Sequence, residues 1–391
     1  MDALIEGYLP DRPRPRWFAG LVSLMFVAAI AVPLATIGLQ RDLTTAIFEN
    51  RVLETWPRWP HTREELRDYP VRLARFFDDN FGLRGELLSL DHWIKVVAFH
   101  TSPVPSVMLG ASGWLYFLGE DARALDRWYR SIGALSEGDI ARLVDELLRR
   151  RDYLDRLGIP YLVVVIPEKY SVYPEFLPDW ATQLASKTAL DRVVDAAALH
   201  PELDFIDLRP ALREAKNSER LYYRTDSHWN YAGAMVGYRV LGRRLERTLP
   251  GFHAVAPERP PYVPGVDYYS GDLARMLGLT GRFREDDIAP LAKILGDSSK
   301  RCSQRDSASE TPGYEIYVYR CASPPPYRAL VLQDSMAIPL IPMLAENFSR
   351  STFVATRTLD PAVVERYKPD VVIEELVERT LNAPAAYPLR R

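Results

Sequence analysis

Asp226 and His228 stand two residues apart in Tyr222–Met235, read as YYRTDSHWNYAGAM, just ahead of a run that reads as a helix start. An imidazole that takes a proton from a hydroxyl needs a carboxylate on its other nitrogen, to fix its tautomer and stabilise the imidazolium. In an extended segment, residues at this spacing project to the same side, so the two side chains can pair locally. The same residues have a plainer use: Asp226 or Ser227 could cap the first amides of the following helix. The hydroxyl partner belongs just past the carboxyl end of a strand, where α/β sheets present their chemistry. Ser335 meets that condition: Arg328–Leu332 reads as a strand, Gln333-Asp334-Ser335 as a turn and Ile338 onward as a helix. A serine amide near a helix N-terminus favours the oxyanion of an acyl-transfer intermediate. A simple helix start is the alternative here too. Gly296-Asp297-Ser298 is a rival Asp-Ser pair, but no helix-forming run follows it, and context outweighs a literal match.

The elements that must position these groups alternate. Tyr161–Ile166 (YLVVVI) is a short apolar run, the mark of a strand buried on both faces. Leu203–Leu208, Ala329–Leu332, Thr352–Ala355 and Val371–Glu374 read as further strands. Helices are predicted at Ile140–Leu157 (with a capping-box-like Ser136/Asp139), Leu184–Leu199, Asn230–Leu249, Ile338–Phe348 and Pro361–Tyr367. This alternation predicts an α/β fold, a mostly parallel sheet flanked by helices. Earlier in the chain, Arg63–Phe81 and Arg84–Phe99 have helical spacing, with Pro70 expected to kink or split the first. Val107–Leu118 reads as a hairpin. Residues 136–391 are expected to form the catalytic domain, 40–135 an extension packed on it, and 251–326 an irregular, proline-rich insertion.

The composition, 47% hydrophobic and 26% charged, is ordinary for a globular chain, and a net charge of −3 gives no basic face for nucleic acid. Trp17–Leu39 is 23 residues without a charge, roughly 35 Å as a helix at ~1.5 Å per residue, enough to cross a bilayer. Arg12, Arg14 and Arg16 precede it, placing residues 1–16 in the cytoplasm by the positive-inside rule. A cleaved signal peptide is the rival, yet the run exceeds a signal core and no clear A-x-A site follows. The rest of the chain would then lie outside the cytoplasm, where Cys302 and Cys321 could pair or remain free thiols. The six histidines show no metal-ligand spacing.

Several stretches together carry a family resemblance: Glu49–Pro60, Asp78–Arg84 (DDNFGLR), Gly110–Phe117 (GASGWLYF), Val163–Tyr173, Arg224–Ala234 (RTDSHWNYAGA), Gly271–Met276 (GDLARM), Val331–Ser335 and Lys368–Arg379. The chain resembles the alginate O-acetyltransferase-like branch of the SGNH hydrolase superfamily, membrane-anchored or periplasmic enzymes that acetylate bacterial exopolysaccharides. The resemblance implies an SGNH-like fold with Ser335 as nucleophile, His228 as general base and Asp226 as its orienter. It also implies a polysaccharide substrate, a place at the bacterial inner membrane facing the periplasm, and no cofactor of the chain's own. A multi-spanning membrane acyltransferase of the MBOAT type would supply acetyl groups. Gln333 departs from the pattern, since glycine commonly stands two before the family's serine. Lys169 could contact substrate or solvate a loop, Arg224 could bind sugar or form a salt bridge, and Trp229 could be core or a sugar platform. Two other functions keep the same residues: a polysaccharide or acyl esterase with water as acceptor, and a non-catalytic scaffold of polysaccharide export.

Overall fold

The computed structural model describes residues 16–36, 54–133, 135–181, 183–255, 269–285, 302–306, 315–321 and 326–381, with Ala385 and Leu389. Nine strands are defined among them: β1 (Val107–Leu109), β2 (Leu115–Phe117), β3 (Tyr161–Ile166), β4 (Asp204–Asp207), β5 (Cys302–Asp306), β6 (Ile316–Cys321), β7 (Arg328–Gln333), β8 (Arg350–Ala355) and β9 (Val371–Val377). β1 and β2 form the expected antiparallel hairpin. The others build one seven-stranded sheet in the order β4-β3-β9-β7-β8-β6-β5. The five strands from β4 to β8 pair in parallel, and β6 and β5 add an antiparallel edge.

The central strands are apolar runs because both faces are covered. All six residues of β3 and all seven of β9 are buried, as strands between helical layers must be. The helix Glu137–Asp155 starts at a full capping box, Ser136 with Asp139, and buries Ile140, Leu143, Val144, Leu147 and Leu154. Its Arg150 and Glu146 are also buried, and Arg150 reaches Glu374 on β9. Such a pair is held by mutual neutralisation rather than by solvent.

The chain divides into two compact units, Met1–Ile94 and Lys95–Arg391. The β1–β2 hairpin, expected within an extension ending at residue 135, thus shares the core of the second unit through Met108, Trp114 and Tyr116. In the first unit one helix runs through Pro70 from Arg63 to Asn80 without a split, opened by a Thr62/Glu65 capping box. Pro70 falls at the eighth residue of that helix. The apolar run near the N-terminus is helical over Arg16–Ala35, and residues 37–39 of the expected anchor lie outside the described residues. Among the described residues no helix is long and apolar enough to cross a membrane.

The described parts of the insertion include regular elements. It supplies the hairpin β5–β6, which joins the sheet edge with Cys302 opposite Cys321, and the two form a disulfide. It also supplies the short helix Asp272–Met276.

Candidate active site

β3, β9 and β7 are adjacent and parallel, so their carboxyl ends open on one edge of the sheet. β3 leads into Pro167-Glu168-Lys169, β9 into Glu378-Arg379, and β7 into Asp334-Ser335. The loop 222–229 lies across these exits, closed by a bridge between Tyr222 and Trp229. The Tyr222 hydroxyl donates to the Pro167 carbonyl at 2.5 Å, at the exit of β3. The indole N–H of Trp229 donates to the Met336 carbonyl at 2.8 Å, at the exit of β7. Two aromatic side chains therefore pin the Asp-His loop between the strand ends, and Trp229, the residue after His228, ties that loop to the turn that carries Ser335.

Within the loop, His228 Nδ1–H donates to Asp226 Oδ1 at 2.6 Å, and the His228 amide donates to the same oxygen at 2.8 Å. Asp226 Oδ2 accepts from the Tyr269 hydroxyl at 2.5 Å and from the Asp272 amide at 2.8 Å. Burial alone would raise the Asp226 carboxyl, but the hydrogen bond and charge of His228, with the Tyr269 bond, hold it far below the ordinary carboxylate range. Burial pulls the other way on His228, yet the hydrogen bond and charge of Asp226 raise its imidazole above the usual value. With Nδ1 committed to Asp226, the nitrogen left free to exchange a proton is Nε2, which is buried and makes no hydrogen bond to any described residue, Ser335 included. Ser335 is exposed and opens the turn Ser335–Leu340.

Three partners of this pair and its loop were not read from the sequence: Tyr269 and Asp272, which touch the pair, and Glu285, which holds the loop. Asp272 Oδ2 lies 3.6 Å from His228 Nδ1 and accepts from the Ser227 hydroxyl. Burial, then the charge of Asp226, raises its carboxyl. Glu285 is fully buried and accepts from the amides of Arg224 and Thr225 at 3.0 and 2.8 Å. All three lie in the proline-rich insertion, and the only signal there was the motif Gly271–Met276. Gly271 explains part of that motif. A Cβ at this position would stand 2.4 Å from Asp226 Cβ and 2.5 Å from its backbone N, so only glycine lets the insertion approach Asp226 this closely. Gly271→Ala is therefore expected to displace Asp226. A melting temperature corresponding to about 1–3 kcal/mol of lost stability, with a larger loss of ester turnover, would mark that displacement; unchanged turnover would refute it.

The remaining sequence candidates fall differently. Lys169 is only 2% exposed, so it does not solvate a loop. Its Nζ donates to the carbonyls of Tyr223, Arg224 and Asp226 at 2.9, 3.2 and 2.6 Å and sits 5.7 and 5.5 Å from the ring centres of Trp114 and Tyr116. Burial brings its ammonium down to about 8, against the pull of Glu285 and Asp226. Trp229 is core, fully buried, with Gly237 leaving room for its ring: a Cβ there would meet Cη2 at 2.7 Å. Arg224 is partly exposed, and its Nε lies 3.9 Å from Glu285. Gly296-Asp297-Ser298 lies outside the described residues. Asp226, His228 and Asp272 bring one ligand atom each within 4.8 Å of one another, but Asp226 and His228 Nδ1 are already spent on the bonds above, an arrangement that suits proton transfer. A cavity of about 1090 Å³ lies at the opposite edge, against the amino ends of β3, β7 and β9, lined by Tyr153, Tyr327, Arg328 and Asp370 among others. It is far from this chemistry by topology.

The family described as SGNH hydrolase-like domain, acetyltransferase AlgX, matches residues 107–303, about half of the chain. This chain belongs to that family. The matched segment contains Asp226, His228, Tyr269 and Asp272 and ends before Ser335. Probable alginate O-acetylases AlgJ are similar as well: that of Pseudomonas syringae pv. tomato is 30% identical over 186 residues, 46% of this chain and 43% of its own. That of Pseudomonas aeruginosa is 30% identical over 222 residues, 56% and 52% of the two chains. The chain thus spans about half the length of the curated relatives it matches. Among solved structures, the O-acetyltransferase domain of Pseudomonas putida AlgJ has 19% identity and a TM-score of 0.43, covering 71% of this chain and 92% of its own. Bacillus cereus PatB1 has 14% identity and a TM-score of 0.48, covering 70% and 96%.

Proposed function

We propose that this AlgX-family chain is an extracytoplasmic O-acetyltransferase that moves acetyl groups to hydroxyls of an exopolysaccharide through an acetyl-serine. The observation that carries this reading is the buried Nε2 of His228, without a partner while Nδ1 is locked to Asp226. His228 Nε2 takes the Ser335 proton as Oγ attacks the acetyl carbonyl, and the imidazolium returns that proton to the leaving donor. A sugar hydroxyl then gives its proton to the same nitrogen as its oxygen attacks the acetyl carbonyl, and the imidazolium returns that proton to the departing Ser335 Oγ. The Asp226 carboxylate stays ionised throughout and stabilises the imidazolium. In this reading Trp17–Leu39 anchors the chain in the bacterial inner membrane with the sheet in the periplasm, and a membrane acyltransferase of the MBOAT type delivers acetyl groups. The family and the AlgJ similarity support a polysaccharide acceptor. Intact mass after incubation with an activated acetyl ester tests the chemistry. An acetyl adduct or turnover lost in Ser335→Ala and kept in Ser298→Ala supports the reading; loss only in Ser298→Ala moves the nucleophile.

A further inference from the structure

Among the described residues the apolar helix Arg16–Ala35 is covered only near its end. Its side chains from Trp17 to Val32 are all exposed, whereas Pro33 is buried. Against this last turn lies the corner between the helices Arg63–Asn80 and Arg84–Phe99. Gly82, buried in that corner, comes so close that an added Cβ would stand 2.5 Å from the Pro33 carbonyl and closer still to Thr36 Oγ1. Three large aromatic side chains surround the corner and stay exposed: Trp56 at 62%, Phe77 and Phe81 at 37% each. Trp56 is held there by the backbone beside it. Asp79 accepts from the Glu54 amide at 2.7 Å, and the Asn80 side-chain amide donates to the Glu54 carbonyl at 2.9 Å. The Trp56 ring then packs edge-on against Phe76 and Phe77, with ring centres 5.0 and 6.5 Å away. Exposed apolar side chains gathered at one spot, rather than scattered singly, mark a contact surface.

We propose that Trp56, Phe77 and Phe81 form an interfacial belt, seated in the headgroup region of the bilayer where the N-terminal helix leaves it, so that the partner of this face is a lipid surface. The inference rests on the membrane-anchor reading of Trp17–Leu39 given above. Its own support is position and chemistry. Thr36 lies roughly 30 Å along the helix axis from Arg16 at ~1.5 Å per residue, about the thickness of a hydrocarbon core. The corner therefore touches the helix at the level where a bilayer entered at Arg16 ends. Aromatic rings favour that boundary, and a tryptophan there satisfies both its apolar body and its polar N–H. A second copy or another membrane protein would also cover apolar rings. Neither accounts for their gathering where the anchor's last turn meets the folded chain.

The test uses the full chain in vesicles of phosphatidylethanolamine with a minority of phosphatidylglycerol, the former carrying bromine on its acyl chains. Phe81→Cys takes a thiol-reactive fluorophore, since Cys302 and Cys321 are bonded to each other. Phe77→Cys takes its place if that variant does not fold. Phe26→Cys, within the exposed apolar run, reports on the anchor. Bromine near the ester end of the chains is expected to quench the label at residue 81 at least about twofold, and more than bromine near the chain terminus. The label at residue 26 should show the opposite order. A label at residue 81 that bromine leaves untouched and aqueous iodide quenches overturns the belt, because the face is then free in water. One untouched by both is covered by protein, a second copy or another chain, which overturns the belt equally. If bromine at neither depth quenches the label at residue 26, the anchor reading itself fails and the belt with it.

Discussion

Asp226→Asn is expected to lower turnover of an activated acetyl ester by about 10⁴-fold, and His228→Ala by a similar factor. An asparagine keeps the shape but offers an amide that no longer fixes the Nδ1–H tautomer, so Nε2 is not held as the base. Because the residues act as a unit, the double variant His228→Ala/Ser335→Ala should be no worse than either single one. A double variant that loses a further 10²-fold or more would mean that the serine and histidine act separately. The pH profile carries a second prediction. His228 must be neutral to accept the serine proton, so activity rises with pH through its folded value, which lies above the ordinary imidazole value of ~6.5. Asp226→Asn removes the main influence that raises it and leaves burial, so the residual activity should show its acid limb at lower pH. The paired charges also stabilise the fold. His228 contributes below its unfolded value and loses that contribution as pH rises through the folded one. Asp226 contributes above ~3.9 and loses it as pH falls through its depressed value. The difference in melting temperature between wild type and Asp226→Asn should accordingly peak between about pH 4 and pH 6.5.

Lys169→Met is expected to be nearly as damaging, although Lys169 touches no reacting atom. Its ammonium holds three carbonyls of the loop, those of Tyr223, Arg224 and Asp226. The Arg224 carbonyl has one further donor, the Leu115 amide on β2. Buried acceptors that lose their donor cost about 1–3 kcal/mol each, offset in part because the buried charge itself is removed. A net loss of about 2–4 kcal/mol in chemical denaturation is expected, with turnover down about 10²–10³-fold as Asp226 moves. Lys169→Arg should rescue neither, because a planar guanidinium cannot aim at three carbonyls in the space over Trp114 and Tyr116. Rescue by arginine, or loss of substrate affinity without loss of stability, would return Lys169 to the substrate-binding role.

Local rules made much of the site legible. The two-residue spacing of Asp226 and His228 made their pairing possible, because a contact between near neighbours needs little from the rest of the chain, but it left a helix cap equally open until the structure set His228 Nδ1 on Asp226 Oδ1. Ser335 at the exit of β7 followed from the same logic, since an apolar run ending in Asp-Ser reads as a strand and turn. The strands β3, β7, β8 and β9 announce themselves by hydrophobicity that only two covered faces can satisfy. Lys169 was misread for a physical reason: a lysine after a strand is usually solvated, and nothing local reveals that three carbonyls from residues 223–226 will surround it.

What the amino-acid sequence determined by itself was the alternation of strand and helix, the spacing that allows the Asp-His pair, and the strand exit that bears the serine. These are decided by periodicity and short-range geometry. Only the tertiary structure decided the order of the strands, which puts the exits of β3, β9 and β7 together, and the fate of the insertion. Tyr269, Asp272 and Glu285 come from a stretch whose prolines predict irregularity, yet Tyr269 and the Asp272 amide donate to Asp226 and Glu285 accepts from the amides of its loop. Hydrogen bonds of a buried carboxylate must be met from somewhere, and their source, tens of residues away, is a property of the packed chain.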